Sequence, residues 1–144
     1  MEWSPQRSRE RFSASRVARL ATVDGAGRPH LVPVVFAAYG DTVAIPVDHK
    51  PKSTCRLKRI RNVEGDPRVS LLADEYSDDW DRLWWARADG EALVAHAGPA
   101  WNEARERLAA RYVQYREDPV QEAIILVQVH RWSGWSSQDV TGWR

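Results

Sequence analysis

The most concentrated charge in the sequence lies in residues 46–62, PVDHKPKSTCRLKRIRN, which hold six lysines and arginines against one aspartate. Lys50 and Lys52 come just before Ser53, a residue type that commonly caps the start of a helix. Lysines beside the free backbone N–H groups of a helix start suit a phosphate or a chain of carboxylates. The segment therefore predicts an anion site, with a solvated helix face as the plainer alternative.

Common catalytic and nucleotide-binding motifs are absent from the sequence. It contains no phosphate-binding glycine loop, no G-x-S-x-G motif and no dinucleotide-binding glycine motif. The four histidines form no ligand pair, and the single cysteine, Cys55, excludes a cysteine metal cluster. We therefore expect no metal site, and no motif identifies a catalytic nucleophile.

Bulk composition narrows the class of protein. A chain of 144 residues fits one domain, and a net charge of +1 argues against a dedicated nucleic-acid binder. The opening residues lack the apolar centre of a signal peptide, and no apolar stretch is long enough to span a membrane. We expect a cytoplasmic protein that binds neither nucleic acid nor membrane.

Hydrophobic patterning predicts a mainly β (α+β) domain over residues 1–144. An antiparallel meander comes first, Pro33 suggests a bulge or an edge, and a bulge is expected at Gly90. Helices are expected at residues 4–13, 53–65 and 98–118, and a polar tail from residue 133 onwards. The six predicted strands cover residues 16–23, 29–38, 42–47, 68–73, 83–95 and 123–132.

Tryptophan is unusually abundant, with eight in the chain, including the adjacent Trp84 and Trp85. Core and interface filling is the interpretation that tryptophan's large buried area favours, and a wall for a planar ligand is the alternative. The apolar surplus exceeds what a small barrel needs internally, so it predicts a homodimer.

Four stretches together resemble one known superfamily: RLATVDGAGRPHLVPVVF (19–36), TVAIPVDHKPK (42–52), LKRIRNVEGDPRVSLLADEY (57–76) and DDWDRLWWARADGEA (78–92). They resemble the flavin-binding split-barrel proteins that include the pyridoxamine 5′-phosphate oxidases, and within them the branch of deazaflavin-dependent enzymes that use coenzyme F-420. The resemblance covers about residues 12–137. It implies a six-stranded antiparallel split β-barrel with two or three peripheral helices, and a homodimer whose cofactor grooves lie between the subunits.

The resemblance also implies the cofactor-binding residues. Lys50, Lys52 and Ser53 match the phosphate loop, and Lys58 and Asn62 match positions on the following helix. The strand whose backbone faces the ring is matched by Leu31, Val32, Pro33 and Val34, with Ala21 and Thr22 nearby. In the binding model that we expect, Trp84 or Trp85 from either subunit covers the ring.

The predicted activity is hydride transfer from coenzyme F-420, or alternatively FMN, to a small unsaturated substrate. Six basic residues suit a long anionic tail better than a single phosphate, which favours F-420. Tyr39 and Tyr76 are candidate proton donors. The chain lacks the arginine-rich C-terminal substrate segment of the pyridoxamine phosphate oxidases, so that oxidation is not expected. The alternatives are an FMN-binding protein related to those oxidases, a non-catalytic cofactor carrier, and a nucleic-acid module.

Overall fold

The computed structural model describes residues 1–47 and 54–138, and for residues 54–57 the backbone only. Within them it contains seven strands, four α-helices and a 3₁₀ turn at Trp80–Arg82. The strands are β1 (Ala18–Val23), β2 (Pro29–Val34), β3 (Ala37–Tyr39), β4 (Thr42–Pro46), β5 (Arg68–Glu75), β6 (Trp84–Ala95) and β7 (Ile124–Ser136). The helices are α1 (Pro5–Ala14), α2 (Thr54–Gly65), α3 (Pro99–Arg111) and α4 (Val113–Glu117).

All seven strands form one antiparallel sheet in the order β2-β1-β5-β6-β7-β4-β3. The two outermost strands, β2 and β3, follow each other in the chain and are joined only by Val35 and Phe36. Because so short a link connects opposite ends of the sheet, the sheet curls round into a split barrel. The predicted fold class is confirmed. The strand count is corrected from six to seven, because the run predicted as one strand at residues 29–38 is two.

The break between β2 and β3 is held by a tyrosine from another part of the chain. Phe36 is fully buried, and its N–H donates to the Tyr112 hydroxyl at 3.2 Å. The same hydroxyl lies 2.8 Å from the Phe36 carbonyl and 3.0 Å from the Arg16 carbonyl. Tyr112 itself has extended backbone angles, φ −121° and ψ 125°, so the helix predicted at residues 98–118 is divided there into α3 and α4.

The barrel is filled by inward side chains of the strands, among them the fully buried Leu20, Ile45 and Leu71. Helices cover its two ends. At the end where β1 begins, Phe12 of α1 packs against Phe36, with ring centroids 4.8 Å apart. At the end where β1 finishes, α2 contributes the buried Val63.

A second apolar cluster lies outside the barrel wall, between that wall and α3. The apolar stripe of α3 faces this cluster, because Ala104, Leu108 and Tyr112 are all buried there. On the outer face of α3, Glu103 and Arg107 form an ion pair at 3.7 Å. None of the helices in residues 1–47 and 54–138 is long and apolar enough to cross a membrane.

The two longest strands, β6 and β7, pair along their whole length with one irregularity at Asp89/Gly90. The bulge predicted at Gly90 is confirmed. A Cβ there would lie 2.1 Å from the Gln128 carbonyl oxygen, so no larger residue fits without movement. The polar tail predicted from residue 133 is wrong for residues 133–136, because β7 runs on to Ser136, whose Oγ accepts from Trp3 Nε1 at 3.1 Å.

Candidate functional site

The clearest binding feature of the barrel is the open edge of β2, which pairs with β1 on one side and with no described strand on the other. Asp24 N–H donates to the Arg28 carbonyl at 2.9 Å, which fixes the alternation of the ladder. The β2 residues that pair opposite Ala18, Leu20 and Thr22 therefore point their backbone N–H and C=O groups towards β1. The residues between them point these groups outwards, away from the sheet.

The outward-facing backbone belongs to Pro29, Leu31 and Pro33. Proline has no N–H, so this edge offers three carbonyls but only one donor, the N–H of Leu31. Of the four residues predicted to face the coenzyme ring with their backbone, only Leu31 and Pro33 have outward-facing groups. The N–H and C=O groups of Val32 and Val34 point towards β1. The Leu31 side chain is 67% exposed, which leaves the edge accessible.

Helix α2 packs beside the end of this hairpin and carries two of the predicted residues on one face. Asn62 is buried, and its Nδ2 donates to the Oγ1 of the buried Thr22 at 3.0 Å. Lys58, one turn earlier, is only partly exposed and lies close to Asp24. The pKa of the Asp24 carboxyl is lowered, first by the hydrogen bond from the Arg28 N–H and further by that from Ala26 and the charge of Lys58.

The hydrogen bond to Thr22 gives Asn62 a role in joining α2 to the hairpin, beside any role towards a ligand. Thr22 is thus the buried hydrogen-bond partner of α2.

His30 is a further residue of interest that the histidine pattern did not indicate. It pairs opposite Thr22 in the ladder, and its buried Nδ1 has no hydrogen-bond partner among the described residues. No signal in the histidine spacing could have revealed this, because the position depends on strand register.

The predicted phosphate loop cannot be placed, because Lys50, Lys52 and Ser53 lie outside the described residues. The structure places the start of α2 directly after them, at Thr54. That order matches the predicted combination of basic residues and a helix start, and the binding role of the three residues stays a prediction.

The four aromatic candidates lie in different environments. Trp84 is packed into the protein: its ring stacks on Trp3 at 5.9 Å and carries the Arg11 guanidinium at 3.7 Å. Trp85 faces outwards on β6, which lies three strand positions from the open edge of β2 in the sheet, and its predicted role as a cover for the coenzyme ring stays a prediction. Tyr39 packs beside α3, and burial raises the pKa of its phenol. Tyr76 is 73% exposed.

No group of three or more His, Cys, Asp or Glu side chains is arranged to hold a metal ion in the part of the chain that the structure describes. The described residues instead combine a backbone edge that has one donor with a helix start that follows a basic segment. This arrangement suits a flat organic ligand with an anionic tail.

Comparison with known proteins gives a family match for almost the whole chain. A protein-family model described as pyridoxamine 5′-phosphate oxidase matches residues 4–136. A search of the curated proteins finds no match.

Several solved structures share the fold at low sequence identity. A FAD-binding protein from Mesorhizobium loti is 19% identical with a TM-score of 0.72, over 93% of this chain and 95% of that one. A conserved hypothetical protein from Mycobacterium tuberculosis is 21% identical with a TM-score of 0.73, over 97% and 93%. A heme-binding protein from Mycobacterium smegmatis is 18% identical with a TM-score of 0.74, over 94% of this chain and 55% of that one.

Proposed function

Because the chain belongs to the pyridoxamine 5′-phosphate oxidase family, we propose that it binds a flavin or deazaflavin coenzyme and uses it to pass hydride to a small unsaturated substrate. When bound, such a coenzyme supplies the hydride. The protein's part is to hold the ring, orient the substrate and exclude water. No side chain needs to act as a nucleophile in this chemistry.

The open edge of β2 is the observation that carries the proposal. Flavins and deazaflavins share a uracil-like ring edge, in which an N–H lies between two carbonyls. Leu31 presents an N–H and a C=O in the same direction, so it can pair with that edge as it would with a neighbouring strand. The carbonyl of Pro33 adds a further acceptor. The residues present therefore fit a ring of this class.

Coenzyme F-420 is the coenzyme we propose, with FMN as the alternative. The tail of coenzyme F-420 joins a phosphodiester to glutamates, whereas FMN ends in one phosphate. Lys50 and Lys52 would bind the phosphate, next to the start of α2. Further along the helix, Lys58 and Arg61 continue the positive charge in the described part of α2, at about 1.5 Å per residue.

Relatives of similar fold support a cofactor of this size without deciding between candidates. Two are FAD-binding proteins, one is a heme-binding protein and one is a heme storage protein. A heme has no uracil-like edge, so the donor at Leu31 favours a flavin or deazaflavin. A carrier without turnover would use the same binding residues and remains the alternative to an enzyme.

The test is a titration of the purified protein with FMN, heme, and deazaflavin coenzymes that carry no, few or many glutamates, followed by absorbance and fluorescence. We expect the deazaflavins to bind most tightly, with affinity rising with tail length and falling with salt. FMN binding best, with no effect of tail length, would contradict the F-420 assignment. Tight binding of the reduced deazaflavin without hydride transfer to any of a panel of enones and quinones would favour the carrier.

We also propose a homodimer with the cofactor groove at the subunit interface. Outward-facing apolar side chains support it: Leu31 on β2 is 67% exposed, Leu93 on β6 is 58% exposed and Trp80 is 71% exposed. Burying these side chains against a second copy of the chain would stabilise a dimer. Sedimentation should give the mass of a dimer, and a pure monomer at micromolar concentration with coenzyme present would contradict the proposal.

A further inference from the structure

A groove of about 290 Å³ lies on the outward face of β5 and β6. Its aromatic lining comes from Tyr76, Trp84 and Trp85, and two leucines complete the apolar wall. Two charged side chains, Asp74 and Arg87, also line it. An apolar groove with a few polar groups that point into it has the general character of a small-molecule site.

Arg87 is held in place by its neighbours. Its Nε donates to Asp89 Oδ2 at 3.1 Å, and Asp89 Oδ1 in turn accepts a hydrogen bond from the Ser70 hydroxyl. The guanidinium carbon lies 5.4 Å from the centroid of the Trp85 ring, within the range of a cation–π interaction. These contacts use the Nε and one face of the guanidinium, while the terminal nitrogens Nη1 and Nη2 have no hydrogen-bond partner among the described residues.

A guanidinium fixed in this way is prepared for a carboxylate, which it can bind with two parallel hydrogen bonds. Asp74 lies in the same groove, with Arg19 at 3.8 Å, and its negative charge disfavours a second anionic group on the ligand. Asp74 instead suits a hydrogen-bond donor on the ligand. The Trp85 ring suits a flat ring system between these two polar ends.

We infer that the groove binds a planar aromatic carboxylate, with the carboxylate on Arg87 and the ring against Trp85. A cavity of about 150 Å³ is enough for benzene, so the observed volume fits one or two fused rings. Strand register places Leu72 of the groove opposite Arg19, which lies opposite Pro33 at the open edge of β2. The groove is thus about 10 Å from that edge, at two strand spacings, and its occupation does not depend on the coenzyme.

Calorimetry without coenzyme tests the inference, with 2-naphthoate as the probe and 2-naphthalenemethanol as its neutral counterpart of the same ring. The naphthoate should bind at least about tenfold more tightly, because only it accepts charge-assisted hydrogen bonds from the guanidinium. Arg87→Gln should abolish that preference. Arg107→Gln, which removes an exposed arginine on α3, should leave it unchanged.

Two further variants separate the ring from the charge. Trp85→Leu should weaken both probes alike, because it removes the surface that the ring contacts. Asp89→Asn should reduce the preference for naphthoate more than it reduces binding of the alcohol, because Asp89 positions Arg87 without contacting the ligand. Equal affinity of the two probes, no binding of either at millimolar concentration, or a preference that survives Arg87→Gln in a folded variant would overturn the inference. Failure of the coenzyme titration would leave it intact.

Discussion

The single donor on the open edge of β2 allows one sharp substitution, Leu31→Pro. The Leu31 N–H faces away from β1, and the side chain is 67% exposed, so a proline there removes no hydrogen bond of the sheet. The strand already accepts proline two residues before and two residues after, at Pro29 and Pro33. We therefore expect the Leu31→Pro variant to fold and to melt within a few degrees of the parent.

Coenzyme binding should nevertheless weaken in this variant. A neutral hydrogen bond contributes about 0.5–1.5 kcal/mol, so losing the one between Leu31 and the ring should raise the dissociation constant roughly 2- to 13-fold. The assay is fluorescence titration with whichever of FMN or the deazaflavin binds more tightly. Leu31→Ala is the matched control, because it removes the side chain and keeps the N–H.

A second control places the proline one residue further on. The Val32 backbone faces β1, so Val32→Pro should break a ladder hydrogen bond and lower the free energy of unfolding by about 1–3 kcal/mol. If Leu31→Pro binds the coenzyme as well as Leu31→Ala does, the ring does not use this donor and the reasoning is refuted. If Leu31→Pro unfolds while Val32→Pro does not, the assigned alternation of β2 is wrong.

Three further predictions concern the fold. Tyr112→Phe should lower the free energy of unfolding, measured by urea titration, by about 1–3 kcal/mol, because it leaves buried backbone groups of the β2–β3 link without their partner. The control Tyr76→Phe, at an exposed position, should change it by less than about 0.5 kcal/mol. Gly90→Ala should cost about 3 kcal/mol by the same measurement, because the added Cβ would lie 2.1 Å from a carbonyl oxygen of β7, and an unchanged unfolding midpoint would show that the bulge adapts. The side-chain hydrogen bond from Arg68 lowers the pKa of Asp66 to about 2. The stabilising contribution of Asp66 is therefore present above about pH 4 and is lost as the pH falls towards 2. Asp66→Asn should flatten the pH dependence of the melting temperature in that window, and an unchanged profile would contradict the assignment.

Local pattern predicted most elements of this fold, and its errors lie where distant residues decide. The alternation and turn residues of β1, β4 and β5 were sufficient, as was the glycine at the Gly90 bulge. The break after Val34 was missed because residues 29–38 form one apolar run. It becomes visible only when the hydroxyl of Tyr112, 76 residues away, binds the backbone of Phe36. Tyr112 also divides the helix predicted at residues 98–118, and the apolar spacing of that segment does not reveal the division.

The candidate site was predicted in part, for similar reasons. Pro33 indicated an edge strand, which the position of β2 bears out, but only the ladder alternation shows that Leu31 carries the one outward N–H. The anchoring of Asn62 to Thr22 and the position of His30 depend on how α2 packs on the hairpin. For the groove at Arg87, the sequence does contain a signal, since Trp85, Arg87 and Asp89 alternate along one face of a strand.

The central claim is that a flavin-like ring pairs with the backbone of Leu31, and the most direct measurement is the amide spectrum of protein labelled with ¹⁵N-leucine, recorded as coenzyme is added. The account predicts that the Leu31 amide signal shifts strongly downfield on binding, while Leu20 and Leu71, which lie inside the barrel, change little. Saturated coenzyme binding with an unmoved Leu31 signal would contradict it.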